Sequence, residues 1–137
     1  MKKNLYLLFI LLSIMIIPMG VFAHDGMISG DDITVDTKVE SSAFVAGNNV
    51  TTSSTVDGGS FVAGNNLSIS SEQDILFAAG NSVNLENATT KDAFLAGSVI
   101  NIQASTIRDL YAAAKTIRID SNISRNAYLG GNSITIN

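Results

Sequence analysis

The stretch that decides the architecture runs Asp92-Ala93-Phe94-Leu95-Ala96-Gly97-Ser98-Val99-Ile100-Asn101-Ile102. Seventeen residues after Phe94 the pattern returns as Tyr111-Ala112-Ala113-Ala114, with Ile117-Arg118-Ile119 behind it. The same unit is built on Phe44, Phe61, Phe77, Phe94, Tyr111 and Tyr128, spaced 17, 16, 17, 17 and 17 residues apart. A near-constant period of this length marks a stacked repeat, in which each unit buries its apolar face against its neighbours.

A second register runs in phase with the aromatics. Ile33/Val35, Leu67/Ile69, Val83/Leu85, Ile100/Ile102, Ile117/Ile119 and Ile134/Ile136 each flank one mostly polar residue, and Val50/Thr52 is a weaker copy. Apolar-polar-apolar spacing with β-branched enrichment is a short, half-buried strand, and these pairs are expected to fill the core. A third, looser apolar position falls at Val39, Val56, Ala88, Ile107 and Ile123, with Gln73 as an exception. The spacing therefore predicts three short strands per coil and about six to seven coils of 17 residues over 33–137. A helix does not fit, because the apolar period is two rather than 3.6 and Ser, Thr, Asn and Gly clusters interrupt every window. The strict hexapeptide rhythm of left-handed solenoids is missing, so a right-handed parallel β-helix is expected.

Corners follow the aromatic strands at Gly47-Asn48, Gly64-Asn65, Gly80-Asn81, Gly97-Ser98 and Gly131-Asn132. Gly and Asn accept positive φ at least cost, so sharp turns are predicted there. Asn48, Asn65, Asn81 and Asn132 are also candidates for a hydrogen-bonded ladder along the stack. Ala114-Lys115 breaks the pattern and predicts a different corner.

The N-terminus is another kind of sequence. Lys2 and Lys3 precede an apolar run from Leu5 to Ile17, and Val21 and Ala23 stand at −3 and −1 of a cleavage point before His24. This is the layout of a secretory signal peptide over 1–23, followed by a short linker at 24–32. The run is shorter than the roughly 20 residues that span a bilayer, so cleavage rather than an uncleaved anchor is expected, with membrane contact only through the leader if it stays uncleaved. Export to the cell envelope or beyond is the expected localisation. With the leader's two lysines removed, the formal charge moves from −4 to −6, which argues against nucleic acid and anionic membrane surfaces as partners.

The combination of an Asp entry, an aromatic-Ala-Gly strand, a Gly-Asn corner and a Val-x-Ile strand resembles the bactofilin group of polymer-forming bacterial proteins. Asp92-Ala93-Phe94-Leu95-Ala96-Gly97 and Asp109-Leu110-Tyr111-Ala112-Ala113-Ala114 match best, and the likeness covers about Ile33 to Asn137. The resemblance implies a right-handed β-helix of short coils that assembles into non-polar filaments without nucleotide. The export signal departs from that group, whose members are cytoplasmic.

No catalytic constellation is found. Cysteine is absent and His24 is the only histidine, so Ser-His-Asp and Cys-His arrangements are excluded from the repeats. Asp74, Asp92 and Asp109 precede the aromatic strands, but the Gly-rich nonapeptide of calcium repeats is missing, so Asp as a turn former is the better reading and no metal is expected. Coils this short leave no room for the loops that wall a polysaccharide-cleaving cleft, and no cofactor or catalytic residue is assigned. Arg118 and the asparagines in the outward row Thr34, Thr51, Ser68, Asn84, Asn101, Arg118, Thr135 spoil an ice-binding threonine lattice.

The aromatic strand poses the sharper question. Alternate strand residues face opposite ways, yet both rows are apolar: Phe94 and Ala96 in one, Ala93 and Leu95 in the other. Only one row can fill the interior, and the surplus row forms an apolar stripe that marks an interaction surface. The sequence ends inside a coil at Ile134-Thr135-Ile136-Asn137, where an open edge is expected to stack on another subunit unless the chain is a fragment that continues into further coils or a membrane segment. The expected function is a non-enzymatic structural protein of the bacterial cell envelope, a homopolymer formed by coil-end stacking and lateral apolar contacts. The alternative is a surface adhesin or carbohydrate-binding module using the Ser/Thr/Asn face for an envelope or glycan contact.

Overall fold

The computed structural model describes residues 27–137. The leader expected at 1–23 and the first residues of the linker lie outside the described residues. The described chain is all-β: β1 (Met27–Val35), β2 (Ala43–Thr52), β3 (Val56–Ile69), β4 (Glu72–Glu86), β5 (Thr89–Gly130) and β6 (Ser133–Ile136). Every neighbouring pair is parallel and the order is sequential, β1-β2-β3-β4-β5-β6. Partners such as Phe44↔Phe61, Val50↔Leu67 and Phe77↔Phe94 sit one repeat apart, so the chain winds as a β-solenoid of about six turns.

Met27 to Asp32 do not form a linker. Met27 pairs with Phe44 and Asp32 with Asn49, so these residues already belong to the first coil. Nor do short separate strands describe every coil. The short strand expected around Val83 and Leu85 is only the last part of β4, which runs 15 residues from Glu72 to Glu86. β5 alone runs 42 residues and passes round the corners without a break. The three faces are read instead from the interior residues, which come in pairs: Leu76/Ala78, Val83/Leu85 and Ala88/Thr90 in one coil, then Ala93/Leu95, Ile100/Ile102 and Ser105/Ile107 in the next.

Interior packing on the first face is complementary from coil to coil. Leu76 with Ala78 is followed by Ala93 with Leu95, then by Leu110 with Ala112, all buried. A large residue thus stacks on a small one in both columns while the volume per coil stays nearly constant, which keeps the packing even along the stack.

On the second face the core is built as expected for most of its length. Ile33, Val35, Val50, Leu67, Ile69, Val83, Leu85, Ile100, Ile102, Ile117 and Ile119 are all buried. Leu85 shows how the column is made: it is paired with Ile69 in one neighbouring coil and with Ile102 in the other. Ile134 and Ile136, expected in the same core, are exposed, Ile136 by 64%. β6 pairs on one side only, with Thr116–Ile119, and no further coil of the described residues covers it.

The third face holds polar residues in its interior. Val39, Val56, Gln73 and Thr90 form one column, while Ala88 belongs to the neighbouring one. Thr52 and Ser71 hydroxyls lie 3.1 Å apart, and Ser71 Oγ donates to Gln73 Oε1 at 2.6 Å. Among the described residues, Gln73 Nε2 is buried without a hydrogen-bond partner.

The corner glycines work differently from expectation. None has positive φ; a Cβ at each would press on the backbone stacked below, although Ala114 holds the equivalent place in its own coil. A Cβ on Gly47, Gly80 or Gly97 would meet the carbonyl oxygen of the glycine one coil below at 2.6 Å. Positive φ occurs instead at Asn87 (57°) and Ala104 (47°), one coil apart after the second face.

Candidate functional site

The aromatic row lies outside. Phe44, Phe61, Phe77, Phe94, Tyr111 and Tyr128 are all exposed, from 36% at Phe94 to 58% at Tyr128, while Ala43/Val45 and their equivalents face inward. Parallel in-register pairing brings each ring over the one before it. Centroids are 4.6–5.0 Å apart and the planes lie 4–11° from parallel along the whole row. That spacing is the inter-strand distance, so the backbone sets the pitch of the ladder. The ring faces are stacked on one another, and the edges point to solvent.

Two residues beyond each of the first five rings stands an outward alanine, Ala46, Ala63, Ala79, Ala96 and Ala113, and beyond Tyr128 stands Gly130. Side chains on a strand stand roughly perpendicular to the sheet, so the rings form a ridge and the alanines a trough beside it. This trough is a shallow apolar depression of about 480 Å³ between Phe77 and Tyr128, floored by Ala79, Ala96 and Ala113. Neither column carries a charge, although the chain is acidic overall. The second-face core takes no part in this site. Leu85, at 1% exposure, lines neither the trough nor any other surface feature, and its role is confined to packing.

The asparagine ladder exists one place further along than expected. Asn66 Nδ2 donates to Asn49 Oδ1 at 2.8 Å, and Asn49 Nδ2 to Asp32 Oδ1 at 2.6 Å. Among the described residues, these bonds bypass Asn48 and Asn65, and Asn81 takes no part in them. Asn132 is tied by its backbone N–H to Lys115 O. A second ladder joins Asn101 Nδ2 to Asn84 Oδ1 at 2.9 Å.

At the corner leading into the aromatic face, charges interlock. Arg108 Nη2 donates to both carboxylate oxygens of Asp92, at 3.0 and 2.9 Å, and its Nε to Asp109 at 3.1 Å. Arg125 grips the same Asp109 through Nε and Nη2, and Asn126 Nδ2 adds a bond at 2.8 Å. Asp109 is buried, and the Arg125 guanidinium, assisted by Asn126 and Arg108, holds its carboxyl well below the usual carboxylate range despite burial. Lys91 pairs with Asp74 at 2.7 Å on the surface. The three acids in the entry column are thus engaged by cations of the next coils, and their geometry is that of a structural clasp.

Sequence reasoning missed this clasp. The available signal was the offset of 16 residues from Asp92 to Arg108 and from Asp109 to Arg125, one residue short of a repeat in each case. A polar groove of about 360 Å³ lies along the third face, lined by residues including Thr55, Glu72, Thr89, Lys91, Thr106 and Arg108. No family model matches the chain, and no curated protein or solved structure matches it either.

Proposed function

We propose that this chain is a non-enzymatic structural protein that assembles through its aromatic face, exported to the bacterial cell envelope. The observation that carries the reading is the continuous exposed ladder from Phe44 to Tyr128 with its alanine trough. A contiguous uncharged apolar strip on an acidic protein is an interaction surface rather than a solvated one. The resemblance of the repeat to bactofilins supports self-assembly, and the leader at 1–23 supports export.

Magnitudes shape the assembly. Six ring levels at about 4.8 Å each give a strip about 29 Å long, and four strand residues give a width of about 13 Å, hence roughly 400 Å². A stable interface takes about 800 Å² per partner. A single lateral pair is therefore weak, and rods joined end to end double the strip. Coil-end stacking is the second contact we propose, supported by the resemblance of the repeat to polymer-forming bactofilins.

Sedimentation velocity over a concentration series tests the reading: the mean sedimentation coefficient should rise steadily, and a constant monomer value would refute it. Export is tested separately by N-terminal sequencing of protein recovered outside the cytoplasm, which should begin at His24. A glycan-binding module is the second reading, favoured by the polar groove on the third face. The exposed ring edges disfavour sugar stacking on the aromatic face. Glycan capture by monomeric protein that is lost on Thr89→Ala and Thr106→Ala would establish it.

A further inference from the structure

Resting on the lateral reading above, we infer that the partner on the aromatic face is a second copy whose coils are stacked in the same direction, with each copy's ridge seated in the other's trough. The geometry selects this pairing. Ridge and trough run side by side, two strand residues or about 6.7 Å apart. A two-fold axis parallel to the solenoid axis reverses left and right across the face. It therefore places ridge over trough twice, so that Phe94 of one copy meets Ala96 of the other at the same coil level. A two-fold axis along the strands preserves left and right. It sets ridge against ridge, or, after a sideways shift, engages one ridge and leaves the other empty.

Shape and pitch agree with the first arrangement. The rings repeat at 4.6–5.0 Å, and the alanine column repeats with the same strands, so fit at one coil is fit at all. Interdigitation of identical side chains gives a dry zipper and excludes water from both columns. It also brings no like charges together, because neither column has any. The strip of roughly 400 Å² per copy is about half of a standard interface, and only the arrangement that engages both ridges uses all of it.

The chain has no cysteine, so single engineered thiols report contacts without background. Phe44→Cys protein is mixed with Ala46→Cys or with Ala113→Cys protein at a concentration where sedimentation shows association, then treated with a short bis-maleimide. Parallel pairing gives a crosslinked dimer with Ala46→Cys and little with Ala113→Cys, since those levels lie about 19 Å apart. Dimer formed instead with Ala113→Cys means antiparallel pairing and overturns the inference. Association without either crosslink overturns it as well, while leaving lateral assembly through some other surface standing. A chain that stays monomeric at every concentration refutes the lateral reading itself. Filling the trough by Ala79→Leu and Ala96→Leu, outward changes that leave the core intact, should abolish association; undiminished association would also contradict seated ridges.

Discussion

Phe94 and Leu95 are adjacent in sequence and face opposite environments: the ring lies outside, stacked on Tyr111 at 4.7 Å, and the leucine is buried to 3%. The largest apolar side chain of each repeat is thus the one the interior leaves out. A coil of 17 residues encloses a narrow core, and Ala/Leu pairs already fill it. An inward ring would overpack that space, which costs about 1–3 kcal/mol per site.

Opposite outcomes are expected from the same change on the two sides of the sheet. Phe94→Asp should leave the β-rich circular dichroism spectrum intact and lower stability by about 1–3 kcal/mol, for two lost ring stacks. Leu110→Asp should prevent folding, because an unpaired carboxylate would replace a fully buried side chain. Thermal melts of both variants decide this, and loss of fold in Phe94→Asp would place the rings inside.

Glycine substitutions separate close approach from backbone conformation. Gly97→Ala should destabilise by about 1–3 kcal/mol, since its Cβ would press on Gly80 O and force the coils apart. Gly130→Ala should be neutral or stabilising by up to about 1 kcal/mol, because nothing lies within 4 Å of the added Cβ. Urea titrations of the two variants should differ accordingly. Equal midpoints would contradict the role assigned to Gly97.

The clasp at Asp109 sets an acid response. A carboxylate held below its ordinary value stabilises the fold at every pH above the unfolded-state pKa, near 3.8. That contribution then declines as pH falls through the depressed folded-state value. Melting temperature should therefore drop below pH 4, and Asp109→Asn should lower it at neutral pH and flatten the acid decline. A variant as stable as the parent at pH 7 would show the clasp to be unimportant.

Buried Gln73 is the inverse case. Its Nε2 is unpaired in the interior, so Gln73→Leu should stabilise the solenoid by about 1–3 kcal/mol, continuing the apolar column from Val56. Destabilisation would mean that the bond from Ser71 Oγ outweighs the orphaned amide.

Much of this fold is legible in the chain because each coil repeats one rule. Spacing at Phe44, Phe61 and Phe77 fixes the period, and pairs such as Ile100/Ile102 fix the second face. The burial of Leu85 was legible from that alternation, but not the continuity of the strand through it, because backbone pairing between coils carries on round corners where the side-chain pattern breaks. Which of Phe94 and Leu95 faces inward was not legible, because both rows are apolar and the choice depends on core width. The glycines were visible, but not their reason: a Cβ–carbonyl contact between coils leaves the same trace in sequence as a turn. Asn49 rather than Asn48 carries the ladder because the corner sets the side-chain direction, and local composition is the same for both. The clasp was hidden because Asp109 and Arg125 become neighbours only through coil stacking.

Whether the aromatic ladder drives assembly is decided by electron microscopy of negatively stained protein. The parent chain and a Phe77→Ser, Phe94→Ser double variant are imaged at the same high concentration, after circular dichroism has shown both to be folded. Laterally associated rods or filaments in the parent, and single thin rods in the variant, are the predicted result. Isolated particles in both samples, or identical bundles in both, would contradict it.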